Sequence, residues 1–244
     1  MITSIPVFSG FRQDSFKFLG QLEKEKNNNV AWFSKNRTRY QENIVDPAKS
    51  FVATISQFFS HLNPAIRTEP KFNKTLMRIN KDMRFSKGTP YKTFFLIHFG
   101  RFKMDSEFYV YLFKGGIQYG LFLNNSAGDE LYLNKNLIKY RKEIISICKK
   151  FKINNKFTFY ELHKIPELVT PAFNAAKNFD ALLSMKYILL EKEISLNKKL
   201  VCSPDFLTEA IKTFSNLYPL YCFTISSNPL KLIDEFEERM GVAV

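Results

Sequence analysis

Apolar residues recur at three- and four-residue intervals near the start of the chain and at two-residue intervals in its middle. This change of period sets the first expectation about fold. After Phe11-Arg12-Gln13, the residues Phe16, Leu19 and Leu22 share one helical face, with Asp14 in the first turn and Asn27-Asn28-Asn29 as the stop. A second helix is predicted to carry Trp32, Phe33, Asn36 and Tyr40. Asp46-Pro47 reads as an N-cap followed by proline at the first helical position. The helix it opens buries Phe51, Ile55, Phe58 or Phe59, and Leu62, and ends at Asn63-Pro64.

The middle is aromatic and β-branched. Residues 76–79, 93–99, 107–113 and 117–123 are predicted strands, with Lys114-Gly115-Gly116 as a hairpin turn between the last two. They form an antiparallel sheet of three or four strands. A helix over residues 137–151 follows, its apolar stripe formed by Leu137, Tyr140, Ile144, Ile147 and Phe151. Residues 153–171 read as irregular, with a short strand at 157–160. A helix at 174–185, a strand at 187–191 and a helix opening at Ser203-Pro204-Asp205 complete the pattern, and a last helix starts near Pro229. Helices flanking a central, mostly antiparallel sheet define the α+β class. No repeat or Gly/Ser linker divides the chain. Residues 1–227 are therefore expected to form a single α+β domain and residues 228–244 a C-terminal helical extension.

Composition sharpens this picture. The chain has 244 residues, 45% of them hydrophobic and 26 of them phenylalanine, enough for a substantial aromatic core. The net charge of +13 favours polyanionic partners such as nucleic acid or phosphorylated ligands. Abundant lysine that merely solvates the surface would give the same figure. Cys148, Cys202 and Cys222 are odd in number and form no C-x-x-C pair, so no zinc or redox motif is supported, and a reducing compartment is expected. No apolar run approaches the ~20 residues that cross a bilayer, and no signal peptide is read at the start. These features place the protein in the cytoplasm, away from membranes.

The charge is concentrated. Between residues 67 and 103 ten cations face two carboxylates, Glu69 and Asp82, a surplus of eight within the total of +13. The densest part runs from Arg78 to Lys92 and includes Lys81, Asp82, Arg84, Lys87 and Tyr91. Such a run can be disordered. Apolar Ile79 and Phe85 within it, and the Gly88-Thr89-Pro90 turn, argue for order. A cluster of Arg and Lys suits phosphate, because a guanidinium meets two oxygens at once. Asp82 among these cations is read as orienting Arg78 or Arg84, or as one ligand of a metal, although a metal site needs several ligands. Tyr91 is suited to donate to a phosphate or to stack on a base. The same residues also fit a buried salt-bridge network with no ligand.

Other candidates are weaker. His61, His98 and His163 lack metal-ligand spacing, and no nucleophile elbow or phosphate-cradling glycine loop is present. Cys148 lies near the apolar side of its helix and reads as inert. The opposite face of that helix carries Lys139, Arg141, Lys142, Lys149 and Lys150, a second polyanion surface or a solvated one. No metal, cofactor or catalytic residue is assigned.

Two blocks carry a resemblance to a known family. Arg78, Asp82, Arg84, Phe85, Pro90, Tyr91 and Lys92 match an Arg-x-x-Arg-Asp-x-Arg-Phe hallmark followed by Pro-Tyr-Lys. Asn28, Asn29, Trp32, Phe33 and Asn36 match Asn-Asn-x-x-Trp-Phe-x-x-Asn. On these residues the chain resembles the bacterial family, also found within larger fungal proteins, catalogued as domain of unknown function 2461. Lys81 stands where the family has a second Arg, which keeps the charge and loses the bidentate fork. Gly88 replaces a two-residue pair, and Ala31 stands where an acidic residue precedes the Trp. The resemblance implies a shared fold and no established activity. Trp32 and Asn36 are pocket candidates, with core packing as the alternative for Trp32, and Asn29 reads as a helix cap.

The leading expectation is a protein that binds, or processes, a phosphate-bearing partner, nucleic acid first, through Arg78, Lys81, Arg84, Lys87 and Lys92. The alternatives are an enzyme acting on a small phosphorylated or carboxylated substrate, with Asp82 or Glu107 at the edge of a pocket, and a module that docks an acidic protein. The sequence leaves the oligomeric state open.

Overall fold

The first helix forms where the apolar spacing places it, while the second, expected to carry Trp32 to Tyr40, is interrupted at Asn36, whose ψ of 13° is not helical. In this computed structural model, α1 (Gln13–Leu22) buries Phe16, Phe18, Leu19 and Leu22. Asn29 caps α2 (Val30–Lys35) by accepting the Trp32 N–H at 2.9 Å. The structure describes residues 5–85 and 87–240, so residues 1–4 and 241–244, at the outer ends of the two expected segments, lie outside it, as does Ser86 within the basic run.

Asp46-Pro47 does not open a new helix. α3 (Arg37–Tyr40) passes through one π-helical turn (Gln41–Val45) directly into α4 (Asp46–Leu62), and Asp46 makes no cap. Pro47 has no N–H to give the carbonyl of Asn43 four residues earlier. That carbonyl accepts from the buried Ser15 hydroxyl at 2.5 Å instead. A tertiary hydrogen bond thus satisfies the acceptor that proline orphans, and the helical path continues.

The sheet has six strands, the middle ones joined by later ones. They are β1 (Phe95–Phe99), β2 (Glu107–Phe113), β3 (Gly116–Asn124), β4 (Thr158–Leu162), β5 (Pro166–Thr170) and β6 (Tyr187–Ser195). They lie in the order β1-β2-β3-β6-β4-β5, in an open antiparallel sheet flanked by helices, which gives the α+β class. Thr158 of β4 faces Glu191 of β6, and Leu162 faces Pro166 of β5. β4 matches the short strand expected at 157–160, whereas β5 falls in the stretch read as irregular. β5 is an exposed edge strand that begins with proline, so no apolar alternation marks it. Residues 76–79 are not a full strand: Leu76 bridges Ile97, and Met77 N–H and Thr75 C=O pair with Leu96 and His98 of β1. The turn between β2 and β3 forms where the glycine pair predicts it. Gly116 has φ +147°, and a Cβ there would lie 2.1 Å from the Ile194 carbonyl oxygen, so only glycine fits.

The later helices are α5 (Leu133–Lys139), α6 (Arg141–Lys150), α7 (Phe179–Ser184), α8 (Asp205–Ile225) and α9 (Pro229–Met240). The single helix expected over 137–151 is broken at Tyr140, whose ψ of 34° is not helical. Pro219 lies inside α8. Residues 217–225 are all buried, and enclosure on every side outweighs the local cost of proline.

The chain divides into two compact units. The first comprises residues 1–99, 109–119 and 193–211. Its core is aromatic: the rings of Phe8, Phe11, Phe51 and Phe206 meet at centroid distances of 5.1 to 5.8 Å, and Phe59 stacks on Phe99 at 4.4 Å. The second comprises residues 100–108, 120–192 and 212–244. Here Phe108 meets Tyr221 at 4.9 Å, and Phe236 of α9 meets Tyr218 at 5.0 Å.

The second unit also encloses an ion pair. The Asp105 carboxylate is fully buried and accepts from Arg101 Nε at 2.8 Å, Nη2 at 3.0 Å and the Arg101 backbone N–H at 3.1 Å. Arg101 Nη2 also donates to the Glu130 carbonyl at 2.9 Å. Burial pushes the Tyr221 hydroxyl well above its ordinary pKa, and the nearby Asp105 charge adds to the shift. Removing one member of such a pair leaves the other charge buried and alone. Asp105→Ala is expected to destabilise the protein by about 3–5 kcal/mol, measured as a lowered urea midpoint. A change within ordinary surface-mutation scatter would show that the pair contributes no net stability.

Candidate functional site

The basic run from Arg78 to Lys92 folds into a closed loop within the first unit. Its two arms pair: Asn80 bridges Tyr91 in antiparallel fashion, Lys81 N–H donates to Pro90 C=O at 2.8 Å, and Lys92 N–H donates to Ile79 C=O at 2.8 Å. Ile79 is buried, which anchors one arm. Gly88 has φ +89° and supplies the left-handed residue the return needs.

The base of the loop is fixed by the first helices. The Asn28 amide meets both backbone groups of Tyr91: its Oδ1 accepts the Tyr91 N–H at 2.9 Å, and its Nδ2 donates to the Tyr91 carbonyl at 3.0 Å. Nδ2 also donates to Leu22 C=O at the end of α1, at 2.9 Å. The Tyr91 ring stacks on Phe33 at 4.1 Å and 13° and is 5% exposed. Phe33 in turn meets Tyr40 at 5.2 Å and Phe18 at 6.1 Å. The two sequence blocks that carry the family resemblance therefore touch, through Asn28 and Phe33 on one side and Tyr91 on the other. The Tyr91 ring is engaged inside the protein, so it acts as packing rather than as an open stacking platform.

The pocket candidates sit beside this cluster. Trp32 is half-buried, with its ring 5.4 Å from Phe18. The Asn36 side chain donates to the Trp32 carbonyl at 2.9 Å, closing the end of α2. Behind them Arg39 forms a bidentate pair with Asp14, reaches Gln21 Oε1 at 2.5 Å and lies over the Phe18 ring at 5.6 Å. Hydrogen bonding from Arg39 holds the Asp14 carboxyl below its usual range.

The loop cations are displayed differently. Arg84 lies at the tip, its side chain 81% exposed, gripped by Asp82 through Nε at 3.0 Å and Nη2 at 2.7 Å. Asp82 also accepts the Arg84 backbone N–H at 3.1 Å, and these bonds hold its carboxyl below the usual range. Of the two cations considered for it, Asp82 orients Arg84. Arg78 is exposed, with Nε donating to Asn73 Oδ1 at 3.2 Å, and Lys87 is exposed. Lys81 Nζ donates to the Thr89 hydroxyl at 3.3 Å. Lys92 Nζ crosses the loop to the carbonyls of Arg78 at 2.7 Å and Asn80 at 2.8 Å. Burial, aided by the Lys81 charge, lowers the Lys92 ammonium below the ordinary lysine value.

Two expectations are corrected. The segment is not a buried salt-bridge network, because the Arg84–Asp82 pair is local and exposed, Lys81 binds a hydroxyl and Lys92 binds carbonyls. Phe85 does not help to bury the loop: it is 85% exposed, and Met83 beside it is 46% exposed. Beyond the arms, which pair up to residues 81 and 90, Met83, Arg84 and Phe85 are exposed. Among the described residues no three His, Cys, Asp or Glu side chains gather as a metal site, and no helix is long and apolar enough to cross a membrane.

The second basic surface is partly neutralised. Arg141 pairs with Asp180 at 3.1 Å, and Lys150 pairs with Glu237 at 2.7 Å. Cys148 and Cys222 are buried, and burial raises the Cys148 thiol to about 12.

The fold and loop define an α+β protein that presents a braced cationic loop. A family described as "Conserved hypothetical protein (DUF2461)" matches residues 14–223, and the chain belongs to that family. No curated protein and no solved structure matches the chain.

Asn28 is the residue that local pattern undervalues, since an Asn run reads as a helix stop, and its partner lies 63 positions away. Asn28→Ala orphans the Tyr91 N–H and C=O together. At one to three kcal/mol for each buried orphan, a loss of roughly 3 kcal/mol is expected in chemical denaturation. Arg84→Ala, at the exposed tip, should leave the midpoint unchanged. Equal sensitivity of the two variants would mean that the loop is not braced from its base.

Proposed function

We propose that this protein binds a phosphate-bearing partner, nucleic acid first, through the braced loop. The observation that carries the reading is the presentation of Arg84: exposed, aimed by Asp82, and set in a closed loop with four further cations, Arg78, Lys81, Lys87 and Lys92. Guanidinium and ammonium groups that are ordered before binding lose less side-chain freedom when they meet phosphate. The three free thiols suit a reducing compartment, and the proposal places the protein in the cytoplasm.

Binding through phosphates releases condensed counterions, so affinity falls steeply with salt. In fluorescence polarisation with labelled DNA and RNA oligonucleotides across a salt series, wild type should bind with a steep log–log slope. Arg84→Ala and Lys87→Ala, both still folded by thermal melt, should bind more weakly. Each should flatten the slope by roughly 0.7 on a single strand, because one phosphate is no longer neutralised. A flat salt response, or variants that bind as wild type does, would overturn the assignment of the loop.

A further inference from the structure

We infer that the partner is single-stranded nucleic acid and that Phe85 at the loop tip stacks on an unpaired base. This deepens the proposed phosphate-binding role and rests on it. Phosphate binding alone accounts for the cations but not for an aromatic ring held in solvent. Phe85 is 85% exposed in a chain whose other large aromatic side chains are mostly buried, and Met83 stands exposed next to it. The ring is not on a loose tail. It follows a turn in which its own N–H donates to the Asp82 carbonyl at 3.1 Å, and the arms behind it are hydrogen-bonded. The Arg84 guanidinium lies 5.6 Å from the Phe85 ring. The cation lies over one face of the ring, so the other face and the oriented cation are the pair of groups a single strand engages: a base for the ring and a phosphate for the cation.

A duplex offers no such base, because its bases are already stacked and a ring entering from outside must first unstack them. An anionic membrane is the competing surface for a basic loop with an apolar tip. Two apolar side chains are a small area for insertion, and the half-exposed Asp82 beside them repels anionic headgroups. Every base has a stacking face, so the interaction is expected to be tolerant of sequence.

The test compares three polyanions of matched charge: a labelled single strand, the same strand built from abasic sugars, and the duplex. Wild type, Phe85→Ala and Phe85→Trp are each measured across a salt series, with phosphatidylserine vesicles as a fourth probe. Phe85 is exposed, so all three proteins should melt alike. Phe85→Ala is expected to bind the base-bearing strand roughly 5- to 150-fold more weakly than wild type, with the salt slope unchanged, while Phe85→Trp retains binding. On the abasic strand the three proteins should be indistinguishable. Equal wild-type affinity for the base-bearing and abasic strands would overturn the stacking role while leaving phosphate binding in place. Tighter binding to the duplex than to the single strand would overturn the choice of partner, as would Phe85-dependent binding to vesicles tighter than to any strand. Absence of salt-sensitive binding to every strand would overturn the phosphate reading beneath it.

Discussion

One side-chain amide fixes the loop on which the functional argument turns. Asn28 closes a reciprocal pair of hydrogen bonds with the backbone of Tyr91 and directs its remaining donor to the end of α1. An amide suits this position because it offers an acceptor and two donors in one plane, and a carboxylate would leave the Tyr91 carbonyl without a donor. Burial makes the arrangement strict, since a backbone group away from water must be paired. The stacking of Tyr91 on Phe33 then sets the orientation of the arm. What the first helices contribute to the loop is thus a fixed base, and everything beyond residues 81 and 90 is presented from it.

The ion pairs Arg101–Asp105 and Arg84–Asp82 solve opposite problems. In the second unit Asp105 is fully buried, and Arg101 must neutralise it and satisfy its oxygens. Such a pair is internal structure, with little charge left to show a ligand. On the loop, Asp82 neither buries nor cancels the surplus: five cations surround it in sequence, and it aims one of them. Lys92 is turned inward onto two carbonyls of the opposite arm, so one member of the cluster closes the loop that displays the others. Charge counted along the sequence does not separate these uses. Burial and the identity of the acceptor do.

What can be read from the sequence follows the range of the interaction responsible. α1, the β2–β3 turn and the Asn29 cap depend on neighbours a few residues away, and spacing is enough to find them. The passage from α3 to α4 defeats local pattern because the acceptor orphaned by Pro47 is satisfied by Ser15, far away in the chain. Pro219 is tolerated within α8 for the same kind of reason, since burial of residues 217–225 outweighs a local cost. β5 escapes notice because an edge strand need not alternate. The cationic residues of the site are legible as composition, but the exposure of Phe85 is not. An aromatic residue among cations suggests an anchor until its exposure shows that it is not one.

The loop also carries a cost that bears on its role. Five positive charges within fifteen residues repel one another. The lowered pKa of Lys92, owed first to burial and then to the Lys81 charge, registers that repulsion within the folded chain. Were stability the only constraint, carboxylates placed as Asp180 and Glu237 are on the other basic face would relieve it. Instead the fold holds the charges together with backbone pairing, a glycine turn and a lysine tied to carbonyls, and Asp82 neutralises only one of the five. A bound polyanion would supply the missing negative charge and would favour the folded loop by the same free energy with which the loop favours it. Bracing and binding are then two sides of one arrangement: the hydrogen bonds keep the cations in place when nothing is bound, and the repulsion they hold in check is what an anion relieves.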